Sequence, residues 1–251
     1  MILHVDMDIE HTKSSIVNSQ RSIVNAKSSI GTLGEKTLHA FLKQHFEPDV
    51  KKHEITVGSY VADIVTDSGI IEIQTRSFDK LRKKLSEFLE ISPVTVVYPL
   101  PRTKWLLWID EQTGEVSKSR KSPKQGRIYD AVLELYRIKP LLSHHNLCLC
   151  IVLIDIEEYR YLNGWSENKK RGSTRCNRVP VDISEVMYLK STADYLRFIP
   201  EDLPSQFTTK DYRDAANINL RTAQTAMNIL HFIGTVNRVG KQGNLHIYER
   251  S

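Results

Sequence analysis

Tyr60–Gln74, YVADIVTDSGIIEIQ, decides how this chain folds. Two runs rich in β-branched residues, YVADIVT and IIEIQ, flank a short Asp67-Ser68-Gly69 turn, and that pattern predicts a β-hairpin. Period-2 alternation places Val61, Asp63 and Val65 on one face of the first strand, with Glu72 and Gln74 sharing a face of the second. Two carboxylates can therefore meet across the ladder. Such positions usually carry apolar or Thr side chains, so the acids concentrate negative charge where it costs stability. The simple reading is a two-sided polar hairpin with both acids in water. The functional one is a hard divalent cation held by the pair, with waters completing its shell.

A third acid upstream favours the cation. IGTLGEKTLHAFLKQHF has apolar residues at helical spacing, Leu38, Phe41, Leu42 and Phe46, so Glu35 falls in the first turn of a predicted helix. Glu35, His39 and Lys43 lie four apart and form one polar stripe. Downstream, SFDKLRKKLSEFLEI is amphipathic, with apolar Leu81, Leu85, Phe88 and Leu89 flanked by Lys80, Lys83 and Lys84.

A helix carrying Glu, a hairpin carrying Asp and then Glu-x-(Lys/Gln), and a following amphipathic helix resemble the core of the PD-(D/E)XK, or restriction-endonuclease-like, nuclease superfamily. Glu35, Asp63, Glu72 and Gln74 carry the resemblance, which covers roughly residues 30 to 110. The last motif position is usually Lys and here is Gln74, a Glu-x-Gln variant similar to that of competence-protein CoiA-like members. A neutral amide can orient water through hydrogen bonds but holds no charge. Lys84 is the preferred candidate for a migrated cation. The resemblance implies one Mg2+ or Mn2+ held by Asp63, Glu72 and the backbone carbonyl of Ile73, with Glu35 holding a second ion or a metal-bound water. It further implies Gln74 orienting that water and Lys84 or His39 neutralising charge on the phosphate.

The chain has 251 residues, 40% of them hydrophobic, with 35 Lys and Arg against 30 Asp and Glu. A pI near 9.0 and a mean hydropathy of −0.35 describe a mildly basic globular protein that admits a polyanionic partner. Cys148, Cys150 and Cys176 are too few for a disulfide framework or a four-ligand zinc site, which suits a reducing cytoplasm. No apolar run approaches a membrane span and no secretory leader is evident, so neither a membrane nor a secreted protein is expected.

Residues 1–30 read as a Ser-rich N-terminal arm able to pack on the core or on a partner, including a second copy of the chain. HEITV is a first strand before the hairpin, and SPVTVVYPL is a short buried strand bounded by prolines. With these, residues 31–200 make an α/β domain with a mixed central sheet flanked by helices. TKWLLWID and the following EQTGE and VSKS read as a hairpin turning at Gly114, with Trp105 and Trp108 as packing residues. Lys118, Arg120, Lys121, Lys124 and Arg127, beside small hydroxyls and Gly126, form a loop suited to gripping phosphates. YDAVLELYRIKPLL has helical spacing through Ala131, Leu135 and Ile138, LCLCIVLID is a strand, and EEYRYLNG is a short helix or turn. NKKRGSTRCNRVP supplies a second basic loop with Arg171, Arg175 and Arg178.

Pro200 and Pro204 mark a boundary, and residues 203–251 have the pattern of a winged helix. Thr209 before Asp211 starts one helix, and Asn219 caps a second with Leu220, Ala223, Ala226, Met227 and Leu230 on its buried side. Gly234 ends it, and Gly240 to Gly243 form the tip of the wing. Arg221, Thr222 and Thr225 are expected to face DNA, with Arg238 and Lys241 on phosphates. This segment carries six Lys and Arg against three Asp and Glu. The leading expectation is a metal-dependent DNA endonuclease. The alternative is a catalytically inactive, nuclease-fold DNA-binding or regulatory protein, which Gln74 favours.

Overall fold

The computed structural model describes residues 36–163 and 174–251. They fold as a mixed α/β protein with a large central sheet. Helix α1 (Lys36–Phe46) is followed by β1 (His53–Val57), β2 (Tyr60–Thr66), β3 (Gly69–Ile73), α2 (Arg82–Ile91) and β4 (Val94–Ile109). Strand β5 (Arg120–Lys121), helix α3 (Val132–Arg137), β6 (Leu147–Tyr161) and β7 (Thr174–Leu189) complete that part. The sheet order is β1-β2-β3-β4-β6-β7, with β5 paired to β4. It is mixed because β2 and β3 are antiparallel whereas β3 and β4 are parallel.

The chain forms two compact units. One holds residues 1–50, 101–125 and 154–184; the other holds 51–100, 126–153 and 185–251. The long strands β4, β6 and β7 contribute segments to both.

In the second unit the expected hairpin forms, with pairs Ile64↔Ile71, Val65↔Ile70 and Thr66↔Gly69. Gly69 makes its turn possible. Its φ is +133°, and a Cβ there would lie 2.3 Å from the Pro93 carbonyl oxygen. That close approach lets the Ile70 amide donate to the same carbonyl at 2.9 Å, which starts the parallel ladder with β4. Helix α2 buries Leu85, Phe88 and Leu89 as its spacing predicts.

Several elements run longer than the sequence suggests. β4 continues through Pro99, the expected stop, and on through Pro101. Both prolines fall beyond Val97, the last residue paired with β3, so on that edge no ladder loses a donor. EEYRY is neither helix nor turn but the end of β6, and Arg175 and Arg178 lie on β7 rather than on a loop. The hairpin at Gly114 is as expected. Gly114 has φ +73°, Asp110 Oδ1 accepts from the Gln112 and Thr113 amides, and β5 pairs with Trp105 and Leu106. The expected arm, residues 1–30, lies outside the described residues.

At the C-terminal end β8 (Gln206–Thr208), α4 (Thr209–Ala216), α5 (Leu220–Phe232), β9 (Val236–Gln242) and β10 (Leu245–Arg250) build a three-stranded sheet, order β8-β10-β9, with two helices. Thr208, one residue before the expected start, caps α4 in a reciprocal box with Asp211. Asn219 caps α5, accepting from the Thr222 amide at 2.9 Å. Gly234 leaves the helix at φ +82°. Leu220 is exposed, contrary to expectation, because it begins the helix ahead of the packed face formed by Ala223, Ala226, Met227 and Leu230. Gly240 is inside β9, and the turn of the β9–β10 hairpin falls at Gly243, φ +60°.

The prolines near residue 200 do not interrupt packing. Leu85, Phe88, Leu135, Phe198, Tyr212 and Leu230 belong to one buried cluster, and the Tyr212 hydroxyl donates to the Phe198 carbonyl at 2.9 Å. The second unit therefore carries the central hairpin and the C-terminal elements on a common core.

Gly69→Ala should lower stability by on the order of 2–4 kcal/mol, because it combines a forbidden φ with a backbone clash. Thermal melting of the variant checks this. An unchanged midpoint would contradict the account of the turn.

Candidate active site

Continuing the hairpin register by one pair puts Asp63 directly opposite Glu72. The regular ladder stops there, and the carboxylates take over its hydrogen bonds. The Asp63 amide donates to Glu72 Oε1 at 3.0 Å, and the Ile73 amide donates to Asp63 Oδ2 at 2.8 Å. Each acid thus ties down the opposing strand's backbone. Glu72 is only 3% exposed.

Lys84 closes the group from α2, with Nζ 2.6 Å from Glu72 Oε2 and 5.5 Å from the centre of the Phe88 ring. Its neighbours Lys80 and Lys83 are exposed. Of the lysines on this helix, the one singled out from the sequence is the one that turns inward.

Burial pushes the Glu72 carboxyl up, and the Asp63 charge adds to the rise; the hydrogen bond and charge of Lys84 pull it back, leaving it at about 7. Burial first, and the Asp63 charge second, thus resist ionisation of Glu72. Two carboxylates in that condition fit a hard, hydrated divalent cation. Among the described residues no group of three or more His, Cys, Asp or Glu is arranged to hold a metal. Glu35, the expected third acid, lies outside them, and His39 is on α1 in the first unit. Ile73 is placed in the group through its amide.

Gln74, expected to orient a water, makes a contact within the protein. Its amide nitrogen Nε2 donates to the Ser77 carbonyl at 2.6 Å, while its backbone amide continues the ladder to Val97 at 2.8 Å. Ser77 caps the short turn Phe78–Lys80 that leads into α2. Gln74 therefore fixes the approach of the helix that carries Lys84. A network that sequence reasoning missed supports the same junction. Glu134 Oε2 accepts from the Phe78 amide at 2.9 Å, Arg137 pairs with Asp79, and Arg82 Nε donates to the Arg137 carbonyl at 2.9 Å. These contacts span more than fifty positions, so no local signal announces them.

The basic residues fall into several places. Lys118, Arg120, Lys121 and Lys124 are exposed in the first unit. Arg127 does not belong with them: its guanidinium donates to the Ala216 and Asn217 carbonyls at 2.8 and 2.7 Å and so caps the end of α4. Arg171 lies outside the described residues. Arg175 is exposed on β7, whereas the Arg178 side chain is 16% exposed. Arg221 is exposed at the start of α5, but Thr222 is buried beneath the Asn219 cap, so it does not face a ligand. Thr225 donates its hydroxyl back to the Arg221 carbonyl at 2.8 Å. Arg238 and Lys241 are exposed on β9.

The chain belongs to the family described as Domain of unknown function (DUF8091), whose pattern matches residues 36–190. It is similar to an uncharacterized protein of Treponema pallidum (strain Nichols), 29% identical over 168 residues, or 66% of this chain. The match spans 64% of that relative's length. No solved structure matches. The family region contains Asp63, Glu72 and Lys84 and ends with β7, before the C-terminal elements. Among the described residues no helix is long and apolar enough to cross a membrane.

Between the ordinary carboxyl value of 4.5 and about 7, the folded protein keeps a proton on Glu72 that the unfolded chain has released. Stability of the metal-free protein should therefore fall as pH rises through that window, and Glu72→Gln should flatten that part of the profile. Thermal midpoints of both proteins across the window, with a chelator present, check it.

Proposed function

We propose that the protein is a metal-dependent DNA endonuclease of PD-(D/E)XK type whose C-terminal winged helix engages DNA. The observation that carries the reading is the meeting of Asp63, Glu72 and Lys84 at the open end of the hairpin. The order α1, β1, β2, β3, α2, β4 supports the nuclease core, and β8, α4, α5, β9, β10 supports the winged helix. Exposed Arg221 and Gln224 on α5, with Arg238 and Lys241 on β9, suit a groove-entering helix and a phosphate-contacting wing. A cytoplasmic setting agrees with three free thiols.

Asp63 and Glu72 would hold the Mg2+ or Mn2+. When bound, such an ion polarises a phosphoryl oxygen and lowers the pKa of a bound water. The chain's own contribution is positional. The two backbone amide bonds fix the carboxylates before substrate arrives, so little reorganisation remains to be made. Lys84 supplies, from the next helix, the positive charge that Gln74 lacks. Gln74 holds the turn that aims Lys84, and that division of labour accounts for a Glu-x-Gln motif in an active site. Lys84 faces the acids at rest and is in place to offset charge on a scissile phosphate.

With Mg2+ or Mn2+ present, the full chain should cut supercoiled, linear or single-stranded DNA. Asp63→Ala and Glu72→Ala should each reduce the rate by on the order of 10²–10³ or more, the scale for removing an electrostatic stabiliser. Lys84→Ala should follow them while DNA binding persists. DNA bound but uncut under every metal condition would instead support a catalytically inactive DNA-binding protein.

A further inference from the structure

The β9–β10 hairpin assembles a basic face that residue spacing hides. On a regular strand Arg238 and Lys241, three apart, would point to opposite faces. The ladder instead shifts register by one residue: Ile247 pairs with Gly240 but Tyr248 pairs with Arg238, which leaves Val239 as an extra, exposed residue on β9. A bulge of this kind re-aims the side chains on either side of it. Lys241 lies directly opposite His246, and Arg238 directly opposite Tyr248. Both cations therefore take the face that His246 and Tyr248 share on β10.

The ring contacts agree with that placement. The Arg238 guanidinium carbon is 5.8 Å from the centre of the Tyr248 ring, and the His246 and Tyr248 ring centres are 6.3 Å apart. Tyr248 is buried, His246 is half-buried, and Arg238 and Lys241 are exposed. His231 of α5 meets Tyr248 edge-on at 6.4 Å, but its Nδ1 is 3.2 Å from the Val236 carbonyl oxygen, which commits that ring to the turn between α5 and β9. Strand β8, on the other side of β10, brings Gln206, Phe207 and Thr208 to the ladder, none of them charged. Burial holds His246 below the ordinary histidine value, and the charges of Arg238, Lys241 and His231 lower it further. The charged groups acting on the ring are thus all basic. A phosphate settling on Arg238 and Lys241 reverses the sign of the charge beside the ring, and a nearby negative charge favours the imidazolium.

We infer that His246 is a third phosphate-binding side chain of the wing, beside Lys241 and Arg238, and that it takes up a proton from solvent when the wing engages duplex DNA. The inference rests on the winged-helix reading for its ligand, but it needs neither metal nor cleavage. Neutral His246 adds no charge to the basic face; protonated, it adds a cation where the bulge has already gathered two. The complex then holds a proton that the free protein has released. DNA affinity therefore rises as pH falls through the range between the two states of the ring.

The test is equilibrium binding of the full chain to a fluorescent DNA duplex between about pH 8 and about pH 5.5, over a range of salt and with a chelator present. Each value is compared with that of His246→Gln at the same pH, so that titration elsewhere in the chain, Glu72 included, cancels. Relative to His246→Gln, the parent chain should gain roughly three- to tenfold in affinity across that range. At the acid end its slope of log K against log salt should be steeper by about 0.9, the value for one added phosphate contact. His246→Arg, which carries a permanent charge, should bind at the alkaline end as the parent does at the acid end. In NMR spectra, the histidine ring signal absent from His246→Gln should titrate at higher pH with the duplex present than without it. A pH dependence shared by the parent chain and His246→Gln, or a His246 signal that titrates alike with and without the duplex, would overturn the inference. Binding without cutting would overturn the nuclease reading and leave this inference standing. No binding at any pH or salt would overturn this inference and the winged-helix reading together.

Discussion

Where the hairpin ladder would next pair Asp63 with Glu72, side-chain carboxylates replace backbone carbonyls as acceptors. That exchange is the constraint on which the site depends. It needs the strands in register, so it needs the Gly69 turn pressed against Pro93, and it needs β3 held parallel to β4 from Ile70 to Ile73. It also leaves two acids in a place where burial resists their charge. Lys84 offsets part of the cost, and a divalent cation would offset more. Perturbed carboxyl pairs of this kind occur at functional sites, and the proposed nuclease reading rests on that likeness.

Local periodicity carried a large share of the fold. Alternating β-branched residues around Asp-Ser-Gly gave the hairpin, and helical spacing gave Leu85, Phe88 and Leu89 their buried places. Caps such as Asn219 were readable because they act over three residues. Strand ends were not. EEYRY looks polar enough for a turn, yet it continues β6 between β4 and β7, with Glu158 and Arg160 paired along one face. Pro99 looked like a stop, yet it falls where β4 has run past β3.

The site was partly legible for the same reason. Asp63 and Glu72 are close through hairpin register, and Lys84 is the lysine of its helix placed beside the apolar stripe. Gln74 was not, because its role depends on the Ser77 carbonyl across a turn. Arg127 reads as part of a basic loop, but two carbonyls at the end of α4, about ninety residues away, claim its guanidinium. Thr222 falls on the expected contact face of α5 by spacing, yet it is buried, with its amide donating to Asn219 Oδ1. Charge in a sequence shows that a contact exists without showing whether its partner is inside the protein.

The central claim is that Asp63 and Glu72 together bind one divalent cation. Calorimetric titration of the full chain with Mn2+ near pH 7, in two buffers of different ionisation heat, tests it most directly. The account predicts one Mn2+ bound per chain with net proton release, since Glu72 is part protonated there, and loss of that binding in both Asp63→Ala and Glu72→Gln. Mn2+ binding that both substitutions leave intact, or no binding by the parent chain, would contradict it.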